Sequence, residues 1–276
     1  MGRRAARPLE GAARETEEGG TSFLLDRSWE VGERAALSAA EAHHALRVLR
    51  LGAGAIVAAT DGRGGRYRLR LLPEGGGCGA EVLDRTSEPA PSPAVEVGVG
   101  AGRRERLLWC VEKLTELEAR RIAPLLSATV QAPRHLAEEA GERLADKAAA
   151  RAAAALKQSR GAWLTRVSSP VDPRTWASQP FAGVAILLAP RTADVPPLAV
   201  AALARLREQP RESPPAFRLA IGPEGGFLES EEEMLLAAGF TRAHLGERRL
   251  RFETAAVAAL CQVRAAAALA EAPCAS

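Results

Sequence analysis

The sequence predicts an α/β protein in two parts, a small β-rich domain followed by a larger domain built on a parallel sheet. Short strand-like segments separated by turn signals occupy residues 21–88. Prolines at alternate positions over residues 89–93 then indicate an extended connector. From residue 94 to residue 276, apolar strand-like runs alternate with helical patterns, which is typical of a parallel sheet.

The β-rich part contains a predicted hairpin and one predicted helix. Ile56–Thr60 and Tyr67–Leu72 are strand-like, and the segment Asp61–Gly65 between them begins with Asp-Gly, a hairpin signal. A helix is predicted over Ser38–Arg50. It opens with a serine followed three residues later by Glu41, the spacing of a capping box.

The second part alternates between the two kinds of element. Short apolar runs predict strands, and apolar residues recurring every three to four positions predict helices. The predicted strands are Ala94–Gly100, Ile122–Leu126, Val184–Leu188, Arg218–Ile221 and a short one ending at His244-Leu245-Gly246. The predicted helices are Glu105–Ala119, Glu138–Gln158, Leu198–Glu208, one capped by Ser230 and Glu233 and stopped by Gly239, and Ala255–Ala270.

The composition indicates a globular protein. Of the 276 residues, 47% are hydrophobic and 26% are charged, which allows a substantial core. No segment reaches the ~18 uninterrupted apolar residues of a membrane span. Residues 1–20 lack the apolar stretch of a signal peptide, so we expect a flexible leader on a cytoplasmic protein. The four cysteines form no CxxC pair, so we expect no metal site.

Arginines are concentrated in the first part of the chain. The stretch His43–Arg70 holds six arginines and one acidic residue, Asp61, an excess of five positive charges (six minus one). Such a basic stripe is the footprint of a nucleic-acid contact, although a solvated strand face in an arginine-rich protein explains it equally well. His43 and His44 lie within the predicted helix and are expected to face RNA or to pack locally, rather than to bind a metal.

A glycine-rich turn follows the strand that ends at Ile221. Its sequence is Gly222-Pro223-Glu224-Gly225-Gly226-Phe227. Turns at the carboxyl ends of parallel strands are where α/β proteins bind ligands, and glycine lets the backbone approach a ligand closely. The turn is neither a dinucleotide fingerprint nor a P-loop, because GxGxxG and Lys-Ser/Thr are both absent. A purely structural tight turn is the alternative.

A second candidate loop follows soon after, over Glu247–Thr254. It holds Arg248, Arg249, Arg251 and Glu253, next to the glycine at position 246. These charges favour a site over a solvated turn. The helix Ala255–Ala270 that follows is apolar nearly all round, so it must be buried in the core or against a second subunit.

The two loops together closely resemble the 16S ribosomal RNA (uracil-N3)-methyltransferase family of the SPOUT superfamily. The resemblance rests on Ile221–Phe227 and Leu245–Ala255 and on the spacing between them, and it covers nearly the whole chain after about Thr21. Further matches are Glu112-Lys113, Thr115-Glu116-Leu117, Gln158-Ser159, His43-His44 and Arg47-Val48-Leu49-Arg50.

The resemblance implies a fold, a reaction and partners. It implies a PUA-like RNA-binding β-barrel over residues 21–88 and a SPOUT methyltransferase domain with a deep trefoil knot over residues 94–276. The implied reaction is S-adenosylmethionine-dependent methylation of N3 of a uridine. The implied partners are 16S ribosomal RNA within an assembled small subunit and a second copy of the chain, with no membrane and no metal.

The resemblance also assigns the site residues by motif. The implied cofactor loops are Leu187–Pro190, Gly222–Gly226 and Leu245–Arg251. The implied cofactor-binding residues are Leu188, Gly222, Glu224, Gly225, Gly226, Leu245, Gly246 and Leu250. The implied RNA-binding residues are His43, His44, Arg47, Arg50 and Arg248, and the implied catalytic residues are Arg251 and Glu253.

The chemistry leaves the roles of the two catalytic candidates open. Uracil N3 is protonated at neutral pH, so a base or a cation that stabilises the uracil anion is expected. Glu253 is a candidate for the base, or a structural carboxylate at a helix N-terminus. Arg251 is a candidate for stabilising the charge on O2 or O4, as is Arg248, or Arg251 grips a phosphate.

The sequence departs from the family pattern at three positions. Glu118 stands where a glycine is expected, Lys157 where glutamate is usual, and Phe252 where a small hydroxyl residue is common. Two other functions therefore stay open. One is a SPOUT enzyme that acts on another RNA or on a ribose 2′-hydroxyl, and the other is a non-catalytic RNA-binding relative.

Overall fold

The computed structural model describes residues 22–75, 77–129, 137–208 and 215–272, with side chains throughout except at 137–142. The leader predicted over residues 1–20 lies outside the described residues. The chain divides into two compact units between Glu88 and Pro89, and each unit is described by itself.

The N-terminal unit is a curled five-stranded sheet that forms half of a barrel around one hydrophobic core. The strand order is β1-β3-β4-β5-β2, and the pairs are antiparallel except for β1 with β3. Alternate residues of the fourth strand, Tyr67, Leu69 and Leu71, point into the core. The elements are β1 Phe23–Leu24, β2 Arg34–Ala36, α1 Ala39–His43, a π-helical turn His44–Val48, β3 Ile56–Thr60, β4 Gly65–Glu74 and β5 Gly77–Ser87.

The predicted hairpin is confirmed, and the side chain of Asp61 closes its turn. The carboxylate accepts hydrogen bonds from Ser28 Oγ at 2.7 Å, Gly65 N at 2.9 Å and the hydroxyl of Tyr67 at 2.9 Å. It also accepts one from the backbone N–H of Arg63 at 2.8 Å. Burial by itself would raise the pKa of Asp61, but these four donors outweigh burial and lower it.

The predicted helix of this unit starts where expected and changes form after one turn. Ser38 Oγ accepts a hydrogen bond from the backbone N–H of Glu41 at 3.2 Å, so the predicted N-cap is confirmed. The α-helix ends at His43 and continues as the π-helical turn. Arg50 then adopts a left-handed conformation with φ +54° and ends the segment.

The C-terminal unit is built on a six-stranded, all-parallel sheet. The predicted parallel sheet is confirmed, and the strand Arg166–Val167 at its edge was not predicted. The strand order is β11-β9-β10-β6-β7-β8. The strands are β6 Ala94–Gly100, β7 Arg121–Leu125, β8 Arg166–Val167, β9 Val184–Leu188, β10 Ala216–Ile221 and β11 Thr241–Ala243. The helices are α2 Arg104–Glu116, α3 Ala137–Ser159, α4 Pro173–Ala177, α5 Leu198–Glu208, α6 Glu229–Ala237 and α7 Phe252–Glu271.

Both faces of this sheet are buried. Phe217 and Leu219 of β10 point to one face and contribute to the larger core cluster. Ala220 points to the other face, where the cluster includes Trp176 of α4. The indole of Trp176 lies so close to β6 that a Cβ on Gly98 would be 2.5 Å from it. The packed sheet therefore fixes the positions of the strand ends and of the loops that follow them.

The start of α6 differs from the prediction. The carboxylate of Glu231 accepts a hydrogen bond from the backbone N–H of Leu228 at 2.8 Å, and Leu228 is the N-cap. Ser230 lies inside the helix, so the predicted cap formed by Ser230 and Glu233 is wrong. The predicted stop is confirmed, because Gly239 follows the helix with φ +92°.

The apolar helix α7 is covered in large part by its own chain. Leu260 and Val263 are fully buried in the larger core cluster, and the helix packs against α5 and α2. By length and mean hydropathy, 1.3, the helix alone would suit a membrane span, but half of that stretch is buried inside the unit. Such burial is typical of a core helix.

Glu118 explains why a glycine is expected at its position. It follows α2 and has φ +60°, a left-handed conformation that costs a non-glycine residue about 1–2 kcal/mol. The backbone N–H of Ala119 reaches back to the carbonyl of Leu114 at 2.9 Å, as in a Schellman motif. Arg264 of α7 donates to the carbonyl of Glu118 at 2.7 Å and holds the turn in place.

We predict that Glu118→Gly stabilises the C-terminal unit by about 0.5–1 kcal/mol. Glycine removes the left-handed strain, about 1–2 kcal/mol, whereas its greater backbone entropy in the unfolded chain costs only about 0.5–1 kcal/mol. Urea unfolding of the two proteins measures the difference. Glu118→Ala is the matched control, since it removes the charge and keeps the Cβ. An equal gain from alanine would show that backbone strain is not the cause.

Candidate active site

The loops after β9, β10 and β11 leave the sheet at the same edge. These three strands are neighbours and parallel, with β10 also paired to β6. The two candidate loops predicted from the sequence and the segment after Leu188 therefore come together, as the carboxyl ends of adjacent parallel strands must.

The turn Gly222–Phe227 uses its glycines in two different ways. A Cβ on Gly222 would lie 2.9 Å from the backbone nitrogen of Phe227, so this glycine is needed for the turn itself. At Gly225 the nearest atom to a Cβ would be 3.6 Å away, and at Gly226, with φ +78°, there is none within 4 Å. Open space therefore borders the second half of the turn, where a ligand can approach the backbone.

Residues after β7 hold this turn, and no sequence pattern pointed to them. Thr129 Oγ1 donates to the carbonyl of Gly226 at 2.8 Å. Ser127 Oγ and the backbone N–H of Ala128 donate to the carboxylate of Glu231 at 2.8 and 2.9 Å. The same carboxylate caps α6, so one side chain joins the loop after β7 to the helix that follows the glycine turn.

The loop after β11 begins with a buried histidine. His244 Nδ1 accepts a hydrogen bond from the backbone N–H of Gly246 at 3.0 Å, which assigns the ring proton of a neutral imidazole to Nε2. Gly246 has φ +123° and open space around it. Leu245 is half-buried and Leu250 is exposed. This loop therefore also offers accessible backbone and apolar side chains.

An open depression lies between this loop and the segment after β9. Its walls are residues 191–197 together with His244 and Glu247. An ion pair between Arg191 and Glu247 connects the two walls. Backbone hydrogen bonds join His244 to Pro196 at 3.0 Å and to Leu198 at 2.9 Å. The segment just beyond the predicted loop Leu187–Pro190 thus forms a wall that the sequence did not indicate.

Arg106 of α2 connects the two candidate loops, and it was not among the residues predicted from the sequence. Its Nη1 lies 3.3 Å from Glu224 Oε1, and its Nε lies 3.8 Å from Glu253 Oε1. Arg249 donates to the backbone carbonyl of Glu224 at 3.1 Å. In the sequence, Arg106 is one of a group of arginines directly after β6. Such a group does not by itself distinguish a functional site from the solvated start of a helix.

The two predicted catalytic residues lie in different environments. Arg251 is the N-cap of α7 and is exposed, and Arg248 is exposed nearby. Glu253 is only 9% exposed, and its Oε2 has no hydrogen-bond partner in the described part of the chain. Burial, with a contribution from the charge of Glu253, raises the pKa of Cys110 to about 12. The carboxylate therefore faces the start of α2, and the two arginines face solvent.

The basic stripe of the N-terminal unit separates into arginines with and without ion pairs. Arg66 forms an ion pair with Glu88, and Arg70 forms one with Glu81 at 2.8 Å. Arg47 and Arg50 are exposed, and neither has an ion pair within the described ranges. The strand arginines of the stripe therefore partly serve the sheet.

The two histidines of that helix also differ. His43 is exposed, whereas His44 is half-buried with its ring 6.0 Å from that of Phe23. His44 thus packs locally, which was one of its two predicted roles. In the part of the chain that the structure describes, no three His, Cys, Asp or Glu side chains are grouped to hold a metal ion.

Comparison with known proteins identifies the family. A family model described as an RNA methyltransferase domain matches residues 88–264, and one described as an RNA methyltransferase PUA domain matches residues 37–76. The ribosomal RNA small subunit methyltransferase E of Synechocystis sp. is 31% identical over 235 residues, 83% of this chain and 72% of that protein. The chain belongs to the ribosomal RNA small subunit methyltransferase E family. The resemblance inferred from the two loops is thereby confirmed.

Solved structures show that the fold of the methyltransferase E family is present. The methyltransferase E of Neisseria gonorrhoeae, bound to S-adenosyl methionine, has a TM-score of 0.74 at 23% identity, covering 89% of this chain and 97% of that one. A Legionella pneumophila protein with bound SAM has a TM-score of 0.77 at 22% identity, with the same coverage. The predicted two-part α/β fold is confirmed, and the trefoil knot stays a prediction.

Proposed function

We propose that this member of the methyltransferase E family transfers a methyl group from S-adenosylmethionine to N3 of a uridine in 16S ribosomal RNA. One observation carries the proposal. Two glycine turns, Gly222–Gly226 and Leu245–Leu250, lie together at the carboxyl edge of the sheet with charged side chains beside them. The Neisseria gonorrhoeae relative binds S-adenosyl methionine, and the Synechocystis relative acts on the small ribosomal subunit RNA, as their names state.

The residues present fit this cofactor. Gly225, Gly226 and Gly246 border open space, so backbone groups there are accessible to its polar edges. Leu188 and Leu245 are half-buried at the ends of neighbouring strands and offer apolar contacts for an adenosine. We assign cofactor binding to the full set that the sequence indicated: Leu188, Gly222, Glu224, Gly225, Gly226, Leu245, Gly246 and Leu250. When bound, S-adenosylmethionine supplies a methyl group already activated by the sulfonium.

We predict that Gly225→Val abolishes binding of S-adenosylmethionine and leaves the unit folded. The added side chain occupies the open space beside the turn, while its Cβ comes no closer than 3.6 Å to Thr129. Calorimetric titration and circular dichroism measure the two effects. Gly52→Val is the matched control, because that glycine also borders open space and lies in the N-terminal unit. Unchanged affinity in a folded Gly225→Val protein would remove this turn from the site.

The reaction needs a group that removes the N3 proton or stabilises the charge left behind, and we propose Arg251 and Glu253 for these roles. Exposed Arg251 is free to stabilise negative charge on O2 or O4 of the base. Glu253 has an oxygen without a described partner, which leaves lone pairs to accept the proton. In the alternative, Glu253 only stabilises the start of α7. The experiment must distinguish this structural role from a catalytic one.

Replacing the two candidates separately tests their roles. We predict that Glu253→Gln and Arg251→Ala each lower kcat about a hundredfold and leave the affinity for S-adenosylmethionine unchanged. A hundredfold loss is the low end of the range expected when an acid–base group is removed. Glu232→Gln, which removes a carboxylate of α6 paired with Arg242, is the control. A Glu253→Gln protein that keeps its kcat but melts at a lower temperature would make Glu253 an anchor.

The product decides between the candidate functions. Free 16S ribosomal RNA and assembled small ribosomal subunits are each incubated with the protein and S-adenosylmethionine, and the nucleosides of their RNA are analysed by mass spectrometry. 3-Methyluridine supports the proposal. A 2′-O-methylated nucleoside, or methylation confined to another RNA, would assign the chain to a different reaction of the superfamily. Cofactor binding without any product on these RNAs would indicate a non-catalytic relative.

RNA recognition is assigned to the N-terminal unit, with residues 21–88 as the RNA-binding domain, 89–93 as a linker and 94–276 as the methyltransferase domain. Arg47 and Arg50 support this, because exposed guanidinium groups without described ion pairs are available to phosphates. Exposed His43 is the last residue of α1, directly before the π-helical turn that carries Arg47. We also keep two further residues in the proposed RNA-binding set: His44, which follows His43 and packs against Phe23, and Arg248 beside the catalytic candidates.

We predict that replacing Arg47 and Arg50 together by alanine weakens RNA binding and flattens its salt dependence. The slope of log K against log salt should fall by roughly 0.7–0.9 for each phosphate that the protein no longer neutralises. Fluorescence anisotropy with a 16S RNA fragment over a range of salt concentrations measures both effects. Arg70→Ala is the control, because Arg70 is paired with Glu81. If the control and the double variant bind alike, this helix does not contact RNA.

We also infer a homodimer that acts on an assembled small subunit in the cytoplasm. The exposed residues of α7 as far as Leu269 support the dimer, because they carry no charge and lie on one side of the helix. They are Thr254, Cys261, Ala265, Ala268 and Leu269. Leu260 and Val263 belong to the core of the chain itself, so they do not form this face, and charges placed there would unfold the unit.

A further inference from the structure

Arg106 is placed where three segments of the C-terminal unit meet. It lies in the first turn of α2, shortly after the end of β6. Its guanidinium contacts Glu224 of the glycine turn at 3.3 Å and approaches Glu253 of α7 to 3.8 Å. Each contact uses a different nitrogen, Nη1 for the first and Nε for the second. A single side chain therefore connects the loop after β10 to the segment that carries the catalytic candidates.

Glu224 also has neighbours on its other side. A Cβ on Gly102 would lie 2.4 Å from Glu224 Oε2, so the loop after β6 leaves just enough room for this carboxylate. Arg249 donates to the backbone carbonyl of Glu224 at 3.1 Å. The glycine turn is thus held from the α2 side through its side chain and from the α7 side through its backbone.

The two contacts of Arg106 differ in strength. The pair with Glu224 is partly exposed, 28% and 38% for the two side chains, and such pairs contribute little stability. Glu253 is nearly buried, and its second oxygen has no described partner. Without Arg106, this carboxylate would be a buried charge with no described cation nearby, which is unfavourable unless the chain moves.

We propose that Arg106 is a positioning residue for methyl transfer, which holds Glu224 and Glu253 at a fixed separation and so aligns the glycine turn with the start of α7. The proposal rests on the proposed function of this site. A guanidinium suits the task because its rigid, planar donors point in several directions, whereas the ammonium of lysine is a single point charge.

Arg106→Gln, Arg106→Ala and Arg106→Lys are compared, with Arg104→Ala as the control. Arg104 lies two residues away, is exposed and has no ion pair in the described part of the chain. We expect the Gln and Ala variants to lower kcat between about tenfold and a hundredfold, because misplacement by 1 Å costs about a hundredfold. Lysine should restore part of the activity. The control, Arg104→Ala, should match the wild type both in its KM for RNA and in its melting temperature.

A double-variant cycle separates positioning from a general loss of structure. If Arg106 acts through Glu224, then Glu224→Gln lowers kcat by itself, and adding it to Arg106→Gln costs little more. Glu224→Gln also serves if an Arg106 variant fails to fold, because Glu224 is an exposed loop residue. Wild-type kcat in either folded single variant, or fully additive losses in the double variant, overturns the inference. Absence of cofactor binding by the wild type would instead refute the proposed function.

Discussion

The parallel pairing of β10 with β6 on one side and with β9 on the other is the constraint on which the site depends. The register places Ile221 level with Val99, so the glycine turn begins beside the end of β6. A Cβ on Gly100 would lie 2.3 Å from the nitrogen of Pro223, so only glycine lets the turn settle there. Since all six strands run the same way, the neighbouring loops leave from the same edge and their side chains reach one another.

The arginines in the described ranges differ in their partners. Some pair with carboxylates and serve the structure, as Arg218 does by binding Glu96 at 3.1 Å in the interior. Others are exposed and have no described ion pair, among them Arg47, Arg50, Arg248 and Arg251 in the proposed site and Arg104 at the start of α2. An exposed guanidinium without an ion pair is available to an anionic ligand, whereas one paired with a carboxylate is less so, and the partners of an arginine are therefore more informative than the number of arginines.

Helix α7 connects the candidate site to the opposite end of the unit. Its first turn carries Glu253, and further along Arg264 donates to the carbonyls of Pro93 and Glu118 at 2.8 and 2.7 Å. Burial lowers the pKa of Arg264. Both of its carbonyl partners are backbone groups, so their directions are fixed by the chain. The helix therefore cannot shift along its axis without breaking these contacts, which keeps the loop before it in register with α2.

The sequence by itself determined the alternation of the main strands and helices, the parallel sheet, the hairpin at Asp61 and the two loops that identify the family, but not the short elements β1, β2, β8 and α4. These are local patterns, in which spacing or turn chemistry specifies the conformation. Only the tertiary structure revealed the contacts of Arg106, which joins Glu224 across 118 positions, and the cap of α6 by Glu231 in place of the predicted Ser230. It also decided how α7 is covered, because an apolar helix has the same sequence pattern whether its own core or a partner buries it. No local pattern encodes which distant side chains meet, since that depends on the strand order in the sheet.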